Sequence, residues 1–149
     1  MSSRVFKGRA VVKGNVSAEA LVSKEGFNTL ASYQHSLMFG YKTGKCSDQN
    51  NPYLYKQPME GKALCMPQTI GSTTGGLVLY TAACMSRQPA CLLFSKEIDS
   101  LAAAGAILAD VWTENSMPTV DKLGEEFLAY VQSGDRITVS EDGTVTVDR

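Results

Sequence analysis

The sequence predicts a mixed α/β domain with a βαβ core and a C-terminal β-hairpin. Two short apolar segments, 62–66 and 90–94, flank a helix-length apolar segment over 74–85. Strand, helix and strand in this order form a βαβ unit. Polarity alternates on both sides of the turn residues 141–143, as is typical of a hairpin. The chain has 149 residues, so we expect residues 1–149 to form one domain.

Composition and charge exclude several classes of partner. With 44% hydrophobic and 19% charged residues, the composition is that of a globular protein. A formal net charge of −1 gives no reason to expect a nucleic-acid surface or a polybasic membrane contact. Residues 1–7 lack an apolar signal core, and the most apolar segment, 101–109, is far shorter than a membrane span. We therefore expect a cytoplasmic protein with no nucleic-acid or membrane partner.

The N-terminal half is predicted less completely. Residues 5–13 and 18–23 are rich in Val, Leu and Ala and are predicted to be two strands joined by a turn at Gly14-Asn15. Residues 24–61 show neither helical nor strand periodicity, yet a structureless loop of this length is rare in a compact domain. The region is therefore expected to contain unrecognised strands or to be ordered by a contact. Its aromatic residues slightly favour an interface over a small core; they are Phe27, Tyr33, Phe39, Tyr41, Tyr53 and Tyr55.

The C-terminal half is predicted to continue the α/β alternation. Residues 95–104 are predicted to form a short helix with Gly105 as its C-cap, and 106–109 a buried strand. A further short helix is expected over 125–132. The helix over 74–85 has apolar side chains on nearly every face, so we expect it to be largely buried. The terminal strands are expected to pack as a second, barrel-like layer against the central sheet.

The four cysteines form no CxxC pair. Cys65, Cys84 and Cys91 lie inside apolar segments, which is typical of small buried side chains in a reducing compartment. Cys46 lies in a polar stretch and is the one cysteine expected to be exposed. Metal binding by this chain alone is therefore disfavoured.

A loop of small and hydroxyl residues over 71–76 precedes the central helix, which is predicted to begin near Ser72 or Thr73. Free N–H groups at a helix start favour an anion. The loop has no lysine of the kind a nucleotide-binding loop requires, and it lacks the G-x-S-x-G pattern of hydrolases. The only histidine, His35, is a weak candidate for a base. On the pattern alone, Ser72 is more typical of a helix N-cap than of a catalyst.

The order of five segments resembles the small subunit of aconitase X over almost the whole chain. The most specific of them is the Gly71-Ser72-Thr73 loop after a short strand and a proline. The five segments are 7–10, 17–23, 60–67, 70–76 and 133–139. Family members often have Ser-Phe-Trp-Gly-Gly-Val after the second strand, whereas this chain has a different sequence over 24–30. Substrate contacts from that segment are therefore not carried over.

The resemblance implies a swivelling β/β/α domain like the mobile fourth domain of aconitase, acting in a hydro-lyase with a larger subunit. In the family the larger subunit holds the iron–sulfur cluster, and this chain supplies no metal ligand. In the family, the serine of this loop is the base that removes the proton next to the substrate carboxylate. Only Ser72 matches that serine, and its neighbours Gly71, Thr73 and Thr74 become candidate substrate contacts.

Energetics indicate that Ser72 cannot act alone. Lowering an alcohol pKa from about 15 to about 7 requires roughly 11 kcal/mol. A helix N-terminus contributes at most about 2 kcal/mol, and no cluster of basic residues lies beside the loop in the sequence. A partner subunit that carries a metal would supply the missing charge.

The leading hypothesis is therefore the small subunit of a heteromeric aconitase X dehydratase. The resemblance allows two hydroxy-acid substrates, cis-3-hydroxy-L-proline and phosphomevalonate. A phosphate should recruit Arg or Lys near the loop, and Arg9, Lys62 and Arg87 are more typical of solvated surface residues. We therefore favour dehydration of cis-3-hydroxy-L-proline to a pyrroline-2-carboxylate. The alternative of another class is a non-enzymatic anion-binding module that docks a partner through residues 24–61.

Overall fold

A computed structural model describes residues 2–38 and 44–149. The strands are β1 (Ser3–Lys7), β2 (Arg9–Val12), β3 (Val16–Val22), β4 (Phe27–Asn28), β5 (Ala63–Met66), β6 (Thr69–Ile70), β7 (Cys91–Phe94), β8 (Thr119–Asp121), β9 (Arg136–Val139) and β10 (Thr144–Asp148). The helices are α1 (Thr29–Met38), α2 (Gly75–Cys84), α3 (Ser100–Trp112) and α4 (Glu125–Tyr130). None of the helices in this part of the chain has the length and hydropathy needed to cross a membrane.

The main sheet has eight strands in the order β1-β10-β9-β3-β5-β7-β8-β2. Strands β3, β5, β7 and β8 are parallel to one another, with α2 between β5 and β7 and α3 between β7 and β8. Strands β9 and β10 form the predicted C-terminal hairpin, and β1 extends it. The βαβ core and the hairpin are therefore confirmed.

Gly8 joins the two ends of this sheet. Strands β1 and β2 are the outermost strands of the order, although only Gly8 separates them in the chain. A Cβ atom on Gly8 would lie 2.5 Å from the carbonyl oxygen of Asp121, so only glycine fits at this corner. The predicted strand over 5–13 is thus two strands, and the sheet curls into the barrel-like second layer that we expected.

Alternating residues of the parallel strands enter two cores. Leu64 and Leu92 face the layer of α1, α2 and α3, whereas Cys65 and Leu93 face the antiparallel strands. Both faces of these strands are buried, which explains their uninterrupted apolar sequence. The molecule therefore has three layers: antiparallel strands, parallel strands and helices.

The prediction for residues 95–109 is wrong. Gly105 is not a C-cap, because α3 runs through it to Trp112, and residues 106–109 are helical. Gly105 packs against Gly76 of α2, where the two backbones touch. The next strand of the sheet is β8, which the sequence analysis missed because it has only three residues. Asp99 starts α3 as its N-cap.

Helix α1 occupies part of the region that showed no periodicity. Its buried face consists of Thr29, Ser32, Tyr33 and Ser36, so hydroxyl side chains hide the helical pattern. Phe27 and Tyr33 are buried in the core against the helices, so these two do not belong to the expected interface, whereas Tyr53 is exposed and Tyr55 is half-buried. Phe39 and Tyr41 lie outside the described residues.

Two further expectations about burial are wrong. Helix α2 buries Gly76, Leu79, Ala82 and Ala83, and Val78 packs partly against the same core, whereas Leu77 and Cys84 are exposed. Among the cysteines, Cys46 is buried in the helical core, whereas Cys84 is exposed near the end of α2. Loop packing buries Cys46 despite its polar sequence neighbours, and burial raises the pKa of its thiol.

Candidate active site

The Ser72 loop is held by a small ribbon beside the main sheet. Strand β6 pairs in parallel with β4, and the loop follows β6 directly. Gly71 has a φ of 97°, and a Cβ atom there would lie 2.7 Å from Asn28 Oδ1. That oxygen accepts the N–H of Ala31 at 3.1 Å and so also caps the first turn of α1. Glycine is therefore required at position 71 by both its φ and its neighbours.

Ser72 lies two residues before the N-cap of α2, which is Thr74. The Ser72 side chain is exposed, and its Oγ lies 2.9 Å from Thr74 Oγ1. The same Oγ accepts the N–H of Thr74 at 3.2 Å. In the described part of the chain, the Thr74 side chain makes no capping bond to the first turn. The helix thus begins later than predicted, and Ser72 is not its N-cap.

A small pocket of about 90 Å³ opens beside this serine. Residues from four elements and the loop line it, among them Thr29, Thr69, Ser72, Gly75 and Leu101. Binding sites for whole small molecules usually measure about 300 to 1,000 Å³. The pocket is therefore large enough for a carboxylate-sized group and too small for a complete substrate.

Asp99 fixes one wall of the pocket. One carboxylate oxygen accepts the N–H groups of Leu101 at 3.1 Å and Ala102 at 2.9 Å, which caps α3. The other accepts the hydroxyl of Thr69 on β6. The carboxylate thus ties the start of α3 to the strand that carries the Ser72 loop. Asp99 was not among the residues predicted for the site, although Asp before a helical Ser-Leu-Ala-Ala segment is a typical N-cap signal.

The pocket brings together only some of the predicted residues. Gly71 and Ser72 line it, and Thr74 reaches it through its bond to Ser72, whereas Thr73 is exposed outside the lining. His35 lies on the exposed side of α1 and does not belong to the lining.

The basic residues considered as anion contacts are engaged elsewhere. Arg9 forms an ion pair with Asp121 at 2.7 Å, Lys62 pairs with Glu19 at 3.0 Å, and Arg87 donates to the carbonyl of Ser36. Within the described residues, the lining of the Ser72 pocket contains no lysine or arginine.

A larger groove of about 640 Å³ lies across the β4–β6 ribbon from the pocket. Ile70 lines the pocket and contacts Gly26, which lines the groove, so these two residues form part of the wall between them. Lys24 and Lys96 line the groove at the carboxyl ends of β3 and β7. The cationic side chains in this part of the molecule are therefore outside the Ser72 pocket.

The described residues do not fit an iron–sulfur cluster. Residues 2–38 and 44–149 contain no group of three or more His, Cys, Asp or Glu side chains that could hold a metal ion. Cys65 and Cys91 lie in the core between the parallel and the antiparallel strands, and burial raises the pKa of the Cys91 thiol to about 12. Thiols in this state are poor ligands, because the thiolate is the form that binds metals.

The three-layer fold and the loop at the start of α2 define a swivelling β/β/α domain. The aconitase X swivel domain matches residues 5–147 of the sequence. The phosphomevalonate dehydratase small subunit of Methanocaldococcus jannaschii is 33% identical over 142 residues, which cover 95% of this chain and 94% of the relative. The corresponding subunit of Methanosarcina mazei is 27% identical, over 91% of this chain and 84% of the relative.

A solved structure agrees with these sequence matches. The crystal structure of aconitase X from Thermococcus kodakaraensis, in its holo-form, matches with a TM-score of 0.82 at 25% identity. The match covers 98% of this chain and 99% of the other. The chain therefore belongs to the aconitase X swivel domain family. The predicted fold and the prediction of a dehydratase small subunit are confirmed, whereas the preference for hydroxyproline as substrate is unconfirmed.

Proposed function

We propose that this chain acts with a large subunit in an aconitase X dehydratase, and that Ser72 removes the proton next to the substrate carboxylate. One observation carries the proposal: the Ser72 hydroxyl is exposed at a carboxylate-sized pocket and bonds to both the N–H and the hydroxyl of Thr74. Gly71, Thr73 and Thr74 remain the proposed substrate contacts.

Both bonds to Thr74 favour a deprotonated Ser72. When the Thr74 hydroxyl donates, Ser72 Oγ accepts two hydrogen bonds, and bonds to the charged form lower a pKa. Each such bond contributes about 1.5 to 3 kcal/mol, and the start of α2 adds at most about 2 kcal/mol. Lowering the pKa of the Ser72 hydroxyl from about 15 to about 7 requires roughly 11 kcal/mol, so about 3 to 6 kcal/mol of stabilisation must come from outside these contacts.

The missing stabilisation is assigned to the large subunit. The Ser72 pocket has no basic lining residue among those described, and its volume holds only part of a substrate. The large subunit in this proposal supplies the other wall of the site and holds the iron–sulfur cluster, for which the described residues of this chain offer no group of three or more ligating side chains. The chain is then active only in the complex.

Phosphomevalonate is the favoured substrate, because the relatives reported above are named for it. Its carboxylate end would face the Ser72 loop, and the large subunit would supply the cations for its phosphate. The absence of basic side chains from the described lining keeps cis-3-hydroxy-L-proline as the second candidate. Assaying the purified complex with each compound separates the two.

The test of the catalytic role is Ser72→Ala in the complex with the large subunit. Loss of a proton-transferring group typically costs 10²- to 10⁴-fold in rate. We expect kcat to fall about 1,000-fold, with KM changed by only a few-fold and the complex intact. Ser100→Ala is the control, because Ser100 is exposed at the start of α3 and does not line the pocket. Near wild-type turnover by Ser72→Ala would refute the assignment.

A second measurement addresses the binding-module alternative. The isolated chain is titrated with citrate and with inorganic phosphate by calorimetry. Tight binding without a large subunit would favour a self-sufficient anion-binding module. We expect no measurable binding, because the pocket provides helix-start N–H groups and hydroxyls without a cationic side chain in its described lining.

A further inference from the structure

We propose that the outer face of α2 and α3 docks the large subunit, an inference that rests on the proposed function. The outer helical face is defined by Leu77 on α2 and by Leu101, Ile107, Val111 and Trp112 on α3. These five side chains are between 44% and 69% exposed. Their apolar surface points away from the sheet, which α2 and α3 cover with their opposite sides.

The two helices lack the charges of an ordinary solvent-facing surface. Surface helices usually carry charged side chains on the face opposite the core. Helix α2 has no charged residue, and α3 has a single one, Asp110. The 13 residues of α3 extend over about 20 Å, so the face is long enough to be a contact surface. Contiguous exposed apolar patches of this kind typically mark interaction sites.

The outer helical face is continuous with the Ser72 pocket. Leu101 belongs to both, and Ile70, which is half exposed, lines the pocket beside the same loop. A partner that covers this face therefore also reaches the mouth of the pocket. This continuity selects the large subunit as the occupant, since the pocket requires a second wall with positive charge. A second copy of this chain would cover the mouth with another apolar face.

The two helices present this face as a preformed unit. Gly76 and Gly105 allow the helices to touch backbone to backbone. The rings of Tyr80 and Trp112 meet edge to face with centroids 6.3 Å apart. The amide of Asn115 also donates to the carbonyl of Ala83 at 2.8 Å, which joins the far ends of the helices. A rigid surface of this type loses little conformational entropy on binding.

The experiment compares Val111→Lys with Val5→Lys as a matched control. Val111 and Val5 are exposed to nearly the same degree, 65% and 61%, and Val5 lies on β1, on the opposite side of the molecule from the helical layer. Lysine suits both positions, because it is favourable in the last turn of a helix and on an edge strand. The affinity for the large subunit is measured by calorimetry, and the melting temperature confirms that each variant folds.

We expect Val111→Lys to weaken binding at least 10-fold and Val5→Lys to change it less than twofold. Trp112→Ala should weaken binding about 30-fold or more, the loss typical of an aromatic anchor. Wild-type affinity of Val111→Lys would overturn the docking surface. Self-association of the isolated chain that Val111→Lys abolishes would overturn it too, because a second copy would then occupy the face.

Ser72→Ala distinguishes this inference from the proposed function. We expect Ser72→Ala to bind the large subunit with wild-type affinity while turnover is lost. If Ser72→Ala stays active and Val111→Lys still fails to bind, the catalytic assignment fails and the docking surface stands. If Ser72→Ala is inactive and Val111→Lys binds normally, only the docking surface fails.

Discussion

Gly105 tests the contact between α2 and α3 directly. The residue lies in the interior of α3, where alanine would ordinarily stabilise a helix by about 1 kcal/mol relative to glycine. In this structure a Cβ atom on Gly105 would lie 2.8 Å from Gly76 Cα and would overlap the Gly76 carbonyl oxygen. The two backbones must separate to accept it, so local propensity and packing predict opposite results for Gly105→Ala.

The packing term is the larger of the two. Forcing an extra methyl group into a filled contact typically costs about 1 to 3 kcal/mol. A backbone carbonyl cannot rotate away as a side chain can, so we take the upper value and expect a net loss of about 2 kcal/mol after the gain in helix propensity. For a protein of this size, that loss corresponds to a decrease in melting temperature of about 4 to 8 °C.

Thermal unfolding followed by circular dichroism measures this change. Ala104→Gly is the control, because Ala104 is exposed on the same helix. Replacing it with glycine therefore changes the helix propensity of α3 without affecting the contact between α2 and α3. We expect Ala104→Gly to cost about 1 kcal/mol. Since Gly76 lies in the first turn of α2, Gly105→Ala should also lower turnover in the complex. An increase in melting temperature for Gly105→Ala would refute the close contact between the helices.

Three further outcomes are expected. An aromatic disulfide reagent should label Cys84 in the native chain and leave the buried cysteines unmodified, and Cys84→Ser should remove this reaction. Arg9→Ala should lower the urea midpoint, because it leaves the fully buried carboxylate of Asp121 without its ion-pair partner. Hydrogen bonds from Thr144 lower the pKa of Asp142 to about 2, from about 3.9 in the unfolded chain. The contribution of the Asp142 carboxylate to the free energy of unfolding is therefore present above about pH 4 and lost as the pH falls through 2. The melting temperature of Asp142→Asn should consequently decrease less over this pH range than that of the wild type.

Strong local signals explain which elements the sequence predicted correctly. The buried parallel strands are short uninterrupted apolar segments, α2 is a long one, and the terminal hairpin alternates around a turn that contains Gly143. Each of these signals lies within about a dozen residues. Helix α1 lacks such a signal because hydroxyl side chains make up much of its buried face.

Distant contacts explain the errors. The Ala-rich sequence around Gly105 is compatible with a helix end followed by a strand, and only Gly76, on another helix, gives the glycine its packing role. Cys46 is buried because loop residues fold over it, and no neighbour in the sequence indicates this. Asp99 matters for the pocket because Thr69, 30 residues earlier, donates to its carboxylate.

The sequence by itself determined the βαβ core, the hairpin, the family and the position of Ser72 in a loop before a helix. These features depend on local patterns and on a motif that is contiguous in the chain. The tertiary structure alone decided that a pocket with one carboxylate wall forms beside Ser72, and that the outer sides of α2 and α3 are exposed. These features depend on distances between residues far apart in the chain, which packing determines and local sequence patterns do not specify.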